Sequence, residues 1–377
     1  MELGFVNAYG RHENESSQRL RSINGQDKIS DLPNHIIGSI LSFLPAKEAV
    51  STCVLSKRWK NVWTFVTKLS FRDKHPFHYT KIKKAQFLQF VNRVLSHLNS
   101  STIDSFSLSI HYDYGSSDIN ELVSFVSSRS VKNICFESLS EEQCVFNSNS
   151  LFECQPLEEF VMKNCITMFP SFASLSSLTS LKLTRTLVIC FGRNKHLTFK
   201  FPVLRLLEIE EGRTWSTIKS VTFHVPLLEV CSMDYGTYLR SNAKIKICAS
   251  RLAKFCYTGS FQTEIILLEA VHIASANIML YGSSRRTEDI VHFVSKLLSI
   301  NAASLKLCLR SRKVCFLSSL NVSRLSLFEC KCLKQFLSYG NYIFVLFYMG
   351  TMQHQTSSQL HISIFFLRII HHYMFVL

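Results

Sequence analysis

FPVLRLLEIEEG, residues 201–212, returns as VPLLEVCSMDYG at residues 225–236, with Pro202 and Pro226 in matching places. Each copy carries one cell of the form L-x-x-L-x-L with conservative swaps: Leu204-Leu207-Ile209, then Leu228-Cys231-Met233. Working outward, clear copies stand at Leu178-Leu181-Leu183 and Leu252-Phe255-Tyr257. Looser ones precede them at Ile103-Phe106-Leu108, Val131-Ile134-Phe136 and Leu157-Phe160-Met162, and come after them at Ser275-Ile278-Leu280, Ala302-Leu305-Leu307 and Val322-Leu325-Leu327. Successive cells start 20–28 residues apart. A period of that size predicts one short strand per repeat and a returning helix or loop, stacked so that neighbours share a core.

Within a cell, Leu181 and Leu183 fall on one face and Lys182 on the other, as a strand's period of two demands. We read an α/β leucine-rich-repeat solenoid over residues 101–336. An ordinary α/β domain with Leu-rich strands is the alternative, weakened by the one register held through so many copies. Between residues 72 and 100, Phe87, Phe90, Val91, Val94, Leu95 and Leu98 are helix-spaced, which predicts a helix capping the first repeat.

A different organisation precedes the array. Residues 27–71 read DKISDLPNHIIGSILSFLPAKEAVSTCVLSKRWKNVWTFVTKLSF, and their punctuation gives three short helical patterns. The first opens at Pro33 and places Ile36, Ile37, Ile40, Leu41 and Leu44 on one broad apolar face before Pro45 stops it. The second sets Ala46, Val50, Cys53 and Val54 on one side. In the third, capped by Ser56, Trp59, Val62, Trp63 and Val66 form a stripe, with Lys57, Arg58 and Lys60 off it. Helices this short need tertiary packing to persist, and so small a module covers its apolar surface poorly. Gly38, inside the first helix, costs about 1 kcal/mol against Ala. Both observations point to help from a partner.

The segment closely resembles the F-box of plant F-box/leucine-rich-repeat proteins. The resemblance is carried by DKISDLPNHIIGSILSFLP, AKEAVSTCVLSKRWKNVW and TKLSF; NRVLSHLNSSTIDSFSLSI, LFECQPLEEFVMKNC and KIKICASRLAKFCYTGSF are similar to segments C-terminal to the F-box in that family. It implies docking on a SKP-family adaptor and, through it, on a cullin-RING ubiquitin ligase, with the repeats holding a target protein. Carried over by position, the implied adaptor contacts are Leu32, Pro33, Ile36, Ile37, Ile40, Leu41, Leu44, Pro45, Val50, Leu55 and Trp59. An apolar helix face beside a proline-fixed loop suits a desolvated interface core. Val54, Val62 and Trp63 are assigned to internal packing.

The rest of the composition excludes more than it suggests. The 377 residues carry 42 Lys and Arg against 27 Asp and Glu, a net charge of +15. Nucleic-acid binders concentrate cations on one recognisable module. Here the densest run is only Lys81, Lys83 and Lys84, and specific nucleic-acid binding is not expected. A basic repeat surface would suit an acidic or phosphorylated partner instead. The 13 cysteines are scattered singly without a C-x-x-C pair, which speaks against zinc sites and against a disulfide framework. They read as reduced, mostly buried thiols of a nuclear or cytoplasmic protein. No phosphate loop, G-x-S-x-G or H-E-x-x-H occurs. His111 with Asp113, Glu288 with Asp289, and Arg285 with Arg286 read as surface residues. Neither catalysis nor a cofactor is expected.

At the N-terminal end, residues 1–26 form a polar leader without a signal-peptide core. At the other end, residues 330–377 contain no Asp or Glu, and two apolar patches flank Thr351–Gln359. Neither patch reaches the roughly 18 apolar residues of a membrane span. Members of the family often end in a small FBD domain, for which no match is seen. The repeat pattern stops near Phe336, so residues 337–377 read as an extension foreign to the fold. The sequence therefore predicts a ligase substrate receptor. The alternatives are a truncated, non-productive relic or scaffold that binds the adaptor without recruiting a target and, resting on the tail alone, a membrane-tethered form.

Overall fold

The computed structural model describes residues 29, 31–73, 81–100, 102–112, 114–140, 144–147, 149–190, 195–211, 217–235, 243–260, 263–270 and 273–281, with further strands at 302–310, 315–320 and 346–348. The leader, the Val322-Leu325-Leu327 cell, Asp113, Arg285, Arg286, Glu288 and Asp289 lie outside the described residues, as does the tail apart from Leu346–Tyr348.

The cells found in the sequence become the strands of one front sheet. Lys68–Arg72, Ser105–Ile110, Asn133–Ser138, Glu159–Lys163, Ser180–Thr184, Leu206–Glu210, Val230–Asp234, Lys254–Ser260, Ile273–Tyr281 and Ala302–Arg310 lie side by side, each parallel to the next. Equivalent residues pair directly, as in Leu181↔Leu207↔Cys231↔Phe255. Two inward columns result. Phe106, Ile134, Phe160, Leu181, Leu207, Cys231 and Phe255 form one, and Leu108, Phe136, Met162, Leu183, Ile209, Met233 and Tyr257 the other, all buried. At about 25 cal/mol per Å² of apolar surface, this repeated burial is what holds the stack together.

One cell is corrected. Phe255 pairs with Ala276 and Tyr257 with Ile278, so the ninth strand's cell is Ile273-Ala276-Ile278 rather than Ser275-Ile278-Leu280. A shift of two residues leaves inward and outward faces unchanged, so alternation alone does not detect it. The parallel ladder ends at Ala302–Arg310, against which Cys315–Leu320 runs antiparallel.

Behind the front sheet, the return legs change character along the array. Helix α3, Lys81–Ser96, and helix α4, Ser116–Ser127, back the early turns. Val91, Val94, Leu95 and Leu98 are buried, and the Phe90 ring lies 6.1 Å from Phe71, so α3 covers the first turn as its apolar spacing predicts. Later return legs are strands, which the expectation of a helix or loop did not include. One sheet holds Cys144–Asn147, Cys165–Phe169 and Leu187–Cys190. A second holds Phe172–Ser174, His196–Lys200, Ser220–His224, Lys244–Cys248 and Glu264–Leu268, all parallel. Their alternate residues Leu197, Phe199, Val221, Phe223, Ile245 and Ile247 point inward and are buried. The Phe199 ring stacks on Phe223 at 5.2 Å and meets Phe169 edge-on at 5.8 Å. The phenylalanines thus fill the space between two sheets.

Candidate functional site

In the N-terminal module, helix α1 spans Asn34–Leu41 after Pro33, and helix α2 spans Ala46–Ser51 after Pro45. The two prolines, at φ −57° and −52°, set the approach angle of each helix and withhold an N–H that would have no partner there. The chain then tightens into 3₁₀ turns at Thr52–Val54 and Trp59–Phe65, so the third pattern is a 3₁₀ rather than an α-helix. Ser56 Oγ accepts the Trp59 N–H at 3.4 Å at its start.

Apolar residues surround most of α1, and the fold divides them into two stripes. Ile37, Gly38 and Leu41 face inward, with Ile37 fully buried. Ile36, Ile40 and Leu44 face outward, Ile40 being 50% exposed. Gly38 explains how the inner stripe seats: a Cβ there would stand 2.6 Å from Phe65 Cβ and 2.7 Å from its carbonyl oxygen. Its cost in helix propensity is therefore offset by close packing within the module, and it is not itself a sign of a missing partner.

Of the residues carried over as adaptor contacts, Pro33, Ile36, Ile40, Leu44, Pro45 and Leu55 are exposed. Leu32, Val50 and Trp59 are half-buried against the core, and Ile37 and Leu41 lie inside it. Val62 packs internally as expected and Trp63 rests against the core, its Nε1–H donating to the Lys60 carbonyl at 3.0 Å. Val54 does not: it is 84% exposed. The tightening from α to 3₁₀ at Thr52 rotates it off the inner side that continuous helical spacing assigned it. Phe43, in the turn after α1, is exposed beside Leu44, with Lys68 Nζ 5.5 Å from its ring centre. The outer stripe of α1, Phe43 and the pair Val54 and Leu55 are aliphatic or aromatic groups left to solvent by a module whose buried residues join the core of the repeats. Contiguous apolar exposure of this kind is uncommon on a monomer's surface, which makes this face the candidate site.

No linker separates the module from the repeats. Lys68–Arg72, which closes the module, is the first strand of the front sheet. The Thr67 N–H donates to Ser42 Oγ at 3.1 Å, and Ser42 Oγ donates in turn to the Gly38 carbonyl at 2.8 Å. Asn99 Nδ2 donates to Thr64 Oγ1 at 2.7 Å. At the strand's far end Asp73, 1% exposed, accepts from the His111 N–H at 2.8 Å and the Tyr114 hydroxyl at 2.8 Å, and its Oδ1 lies 2.7 Å from His111 Nδ1. His111 thus belongs to a clamp on the first turn, a role its sequence neighbours did not disclose.

Six of the described thiols are held in the protonated form by burial. Burial pushes Cys165 and Cys231 well above the ordinary thiol value of 9.0 and raises Cys135, Cys154, Cys190 and Cys248 in the same direction. Among the described residues no group of three His, Cys, Asp or Glu could hold a metal ion, and no helix is long and apolar enough to cross a membrane.

A short helical module with an exposed apolar face is built directly onto a parallel solenoid. The family model of the F-box domain matches residues 29–70. An F-box/FBD/LRR-repeat protein of Arabidopsis thaliana is 30% identical over 258 residues, 66% of this chain and 57% of the relative. An F-box/LRR-repeat protein of the same plant is 28% identical over 281 residues, covering 70% and 83% of the two chains, and an FBD-associated F-box protein is 31% identical over 212 residues, covering 55% and 51%. The chain spans about half the length of the first curated relatives it matches, 57% and 44% of two of them. No solved structure gives a significant match. The chain is similar to plant F-box/leucine-rich-repeat proteins and carries an F-box domain at residues 29–70.

Proposed function

We propose that the protein is the substrate-recognition subunit of an SCF-type cullin-RING ubiquitin ligase. The outer stripe of α1 docks on a SKP-family adaptor, and the solenoid holds a target protein. The observation that carries this reading is the exposed apolar row Ile36, Ile40 and Leu44 on the module's outer side. Pro33, Pro45 and Leu55 adjoin the row; Leu32, Val50 and Trp59 support it from the half-buried layer, and Ile37 and Leu41 hold the helix in place from within. Fully burying one such aliphatic side chain contributes about 1.5–3 kcal/mol. The protein itself supplies no transfer chemistry: holding a target near the ubiquitin-loaded enzyme raises its effective concentration there. We place it in the nucleus or cytoplasm, where that pathway operates.

Co-purification of the full chain with a plant SKP-family adaptor tests the docking. Ile36→Asp with Ile40→Asp puts two charges into the proposed interface while leaving the inner stripe intact, so binding should fall at least about 100-fold, nearly 3 kcal/mol, with the melting transition unchanged. Ile37→Asp should lose folding and binding together. Failure of the wild-type chain to bind, or full binding by the double variant, overturns the assignment. Adaptor binding with no protein whose turnover depends on the chain would leave a scaffold in place of a receptor.

A further inference from the structure

The five-stranded back sheet presents an outer face whose charge is one-sided. Lys200, Lys244 and Lys246 alternate with its buried residues, and Lys195 and Lys219 stand just ahead of their strands. The acids nearby are Glu264, 3.1 Å from Lys244, and Glu269. Lys195 and Lys219 occupy the same rung of successive turns, the Lys219 N–H donating to the Lys195 carbonyl at 2.7 Å. Like charges on adjacent strands, about 4.8 Å apart, repel, and a bound anion relieves that cost. The front sheet differs. There Lys182 lies 3.9 Å from Glu159 and 3.7 Å from Glu208, so the charges neutralise one another.

We propose that this back face binds an extended acidic polypeptide segment with apolar flanks. Three features select that partner. The face is a parallel-sheet surface lined by point-charge lysines, and among the described residues it has no arginine, whose planar fork suits phosphate. Its two edge strands end the charged area with exposed apolar groups, Phe172 on one side and Leu268 on the other. Single-stranded nucleic acid needs a succession of stacking rings. Among the described residues this face offers the Phe172 ring, under Lys200 Nζ at 5.5 Å, and two imidazoles, His224 and His196, the latter 2.6 Å from Ser220 Oγ, with no run of Phe, Tyr or Trp along it. That the segment belongs to the ligase target rests on the receptor reading above; the binding itself does not.

The test is fluorescence anisotropy of the purified full chain with a labelled peptide alternating Glu and Ser and bearing leucine at both ends. The same peptide with Gln for Glu, a mixed-sequence single-stranded oligonucleotide and phosphatidylserine vesicles serve as competitors. The acidic peptide should bind at least about tenfold more tightly than the Gln peptide and weaken with added salt. The triple variant Lys200→Ser, Lys219→Ser, Lys246→Ser should lose about tenfold, whereas Lys163→Ser with Lys182→Ser on the front sheet should bind as the wild type does. Equal losses in the two variants would reduce the effect to net charge and overturn the proposal. So would binding of the oligonucleotide or vesicles without the peptide, or no preference for Glu over Gln. Circular dichroism confirms that both variants fold. A chain that captures the peptide but not the adaptor would refute the receptor reading and leave this one standing.

Discussion

Gly38→Ala separates two opposite expectations for one methyl group. In an exposed helix interior the change stabilises by about 1 kcal/mol, through helix propensity and a less flexible unfolded chain. At Gly38 the added Cβ would fall 2.6 Å from Phe65 Cβ and within 2.8 Å of two Phe65 backbone atoms, a separation that Cβ atoms do not tolerate. Those atoms cannot rotate away, so α1 must move off the Trp59–Phe65 turn, at the cost of overpacking, about 1–3 kcal/mol. Taking the upper end because backbone is involved and subtracting the propensity gain leaves about 2 kcal/mol of net destabilisation. Trp59 and Trp63 lie in the turn that α1 would leave, and the chain's third tryptophan is Trp215. Urea unfolding followed by tryptophan emission in a Trp215→Phe background therefore reports the module. With a slope of about 2–3 kcal/mol per molar for a module whose core is continuous with the repeats, the midpoint should fall by about 0.7–1 M. A midpoint that rises would mean that α1 is not seated on Phe65 and would refute the reasoning.

Two further outcomes come from the packing. Asp73→Ala removes the acceptor shared by His111 and Tyr114 inside the first turn. It should destabilise the protein by about 3 kcal/mol, read as a lowered urea midpoint; a change below about 0.5 kcal/mol would show the clamp to be idle. Cys165 and Cys231 remain protonated when folded and ionise near 9.0 once unfolded, so above that pH the unfolded chain holds fewer protons and stability falls as pH rises. Urea midpoints measured on either side of pH 9.0 should therefore be flat below it and decline above it. Both thiols should resist labelling by a disulfide reagent until the chain unfolds.

The front sheet was legible because each strand is marked by large apolar residues at fixed offsets, and Leu181, Leu207 and Phe255 need no tertiary knowledge to be aligned. The back strands were less so. His196–Lys200, Ser220–His224 and Lys244–Cys248 also alternate, with 24-residue spacing, yet five-residue runs do not say whether they join the front sheet or build another. In α1 the apolar residues cover too much of the circumference for periodicity to choose between Ile37 and Leu41 within and Ile36 and Ile40 without; the position of Phe65 chooses. Val54 was misplaced because residue spacing assumes a constant 3.6-residue turn, which the chain abandons at Thr52. His111 found its partner in Asp73, 38 positions away, and no local pattern contains that pairing.

The continuity of the closing strand of the F-box with the front sheet has a mechanical consequence. Ten parallel strands stand on one ladder that begins within the module, so every surface along it lies at a whole number of rungs from α1. At about 4.8 Å per rung, the tenth strand is displaced by about 43 Å from the first along the stacking direction. Such a body acts as a graduated arm. Insertion or loss of one repeat in a descendant gene would carry everything beyond it one notch outward or inward, and with the twist of the sheet would also turn it. Reach and orientation would thus evolve in discrete steps, without any change at the docking helix.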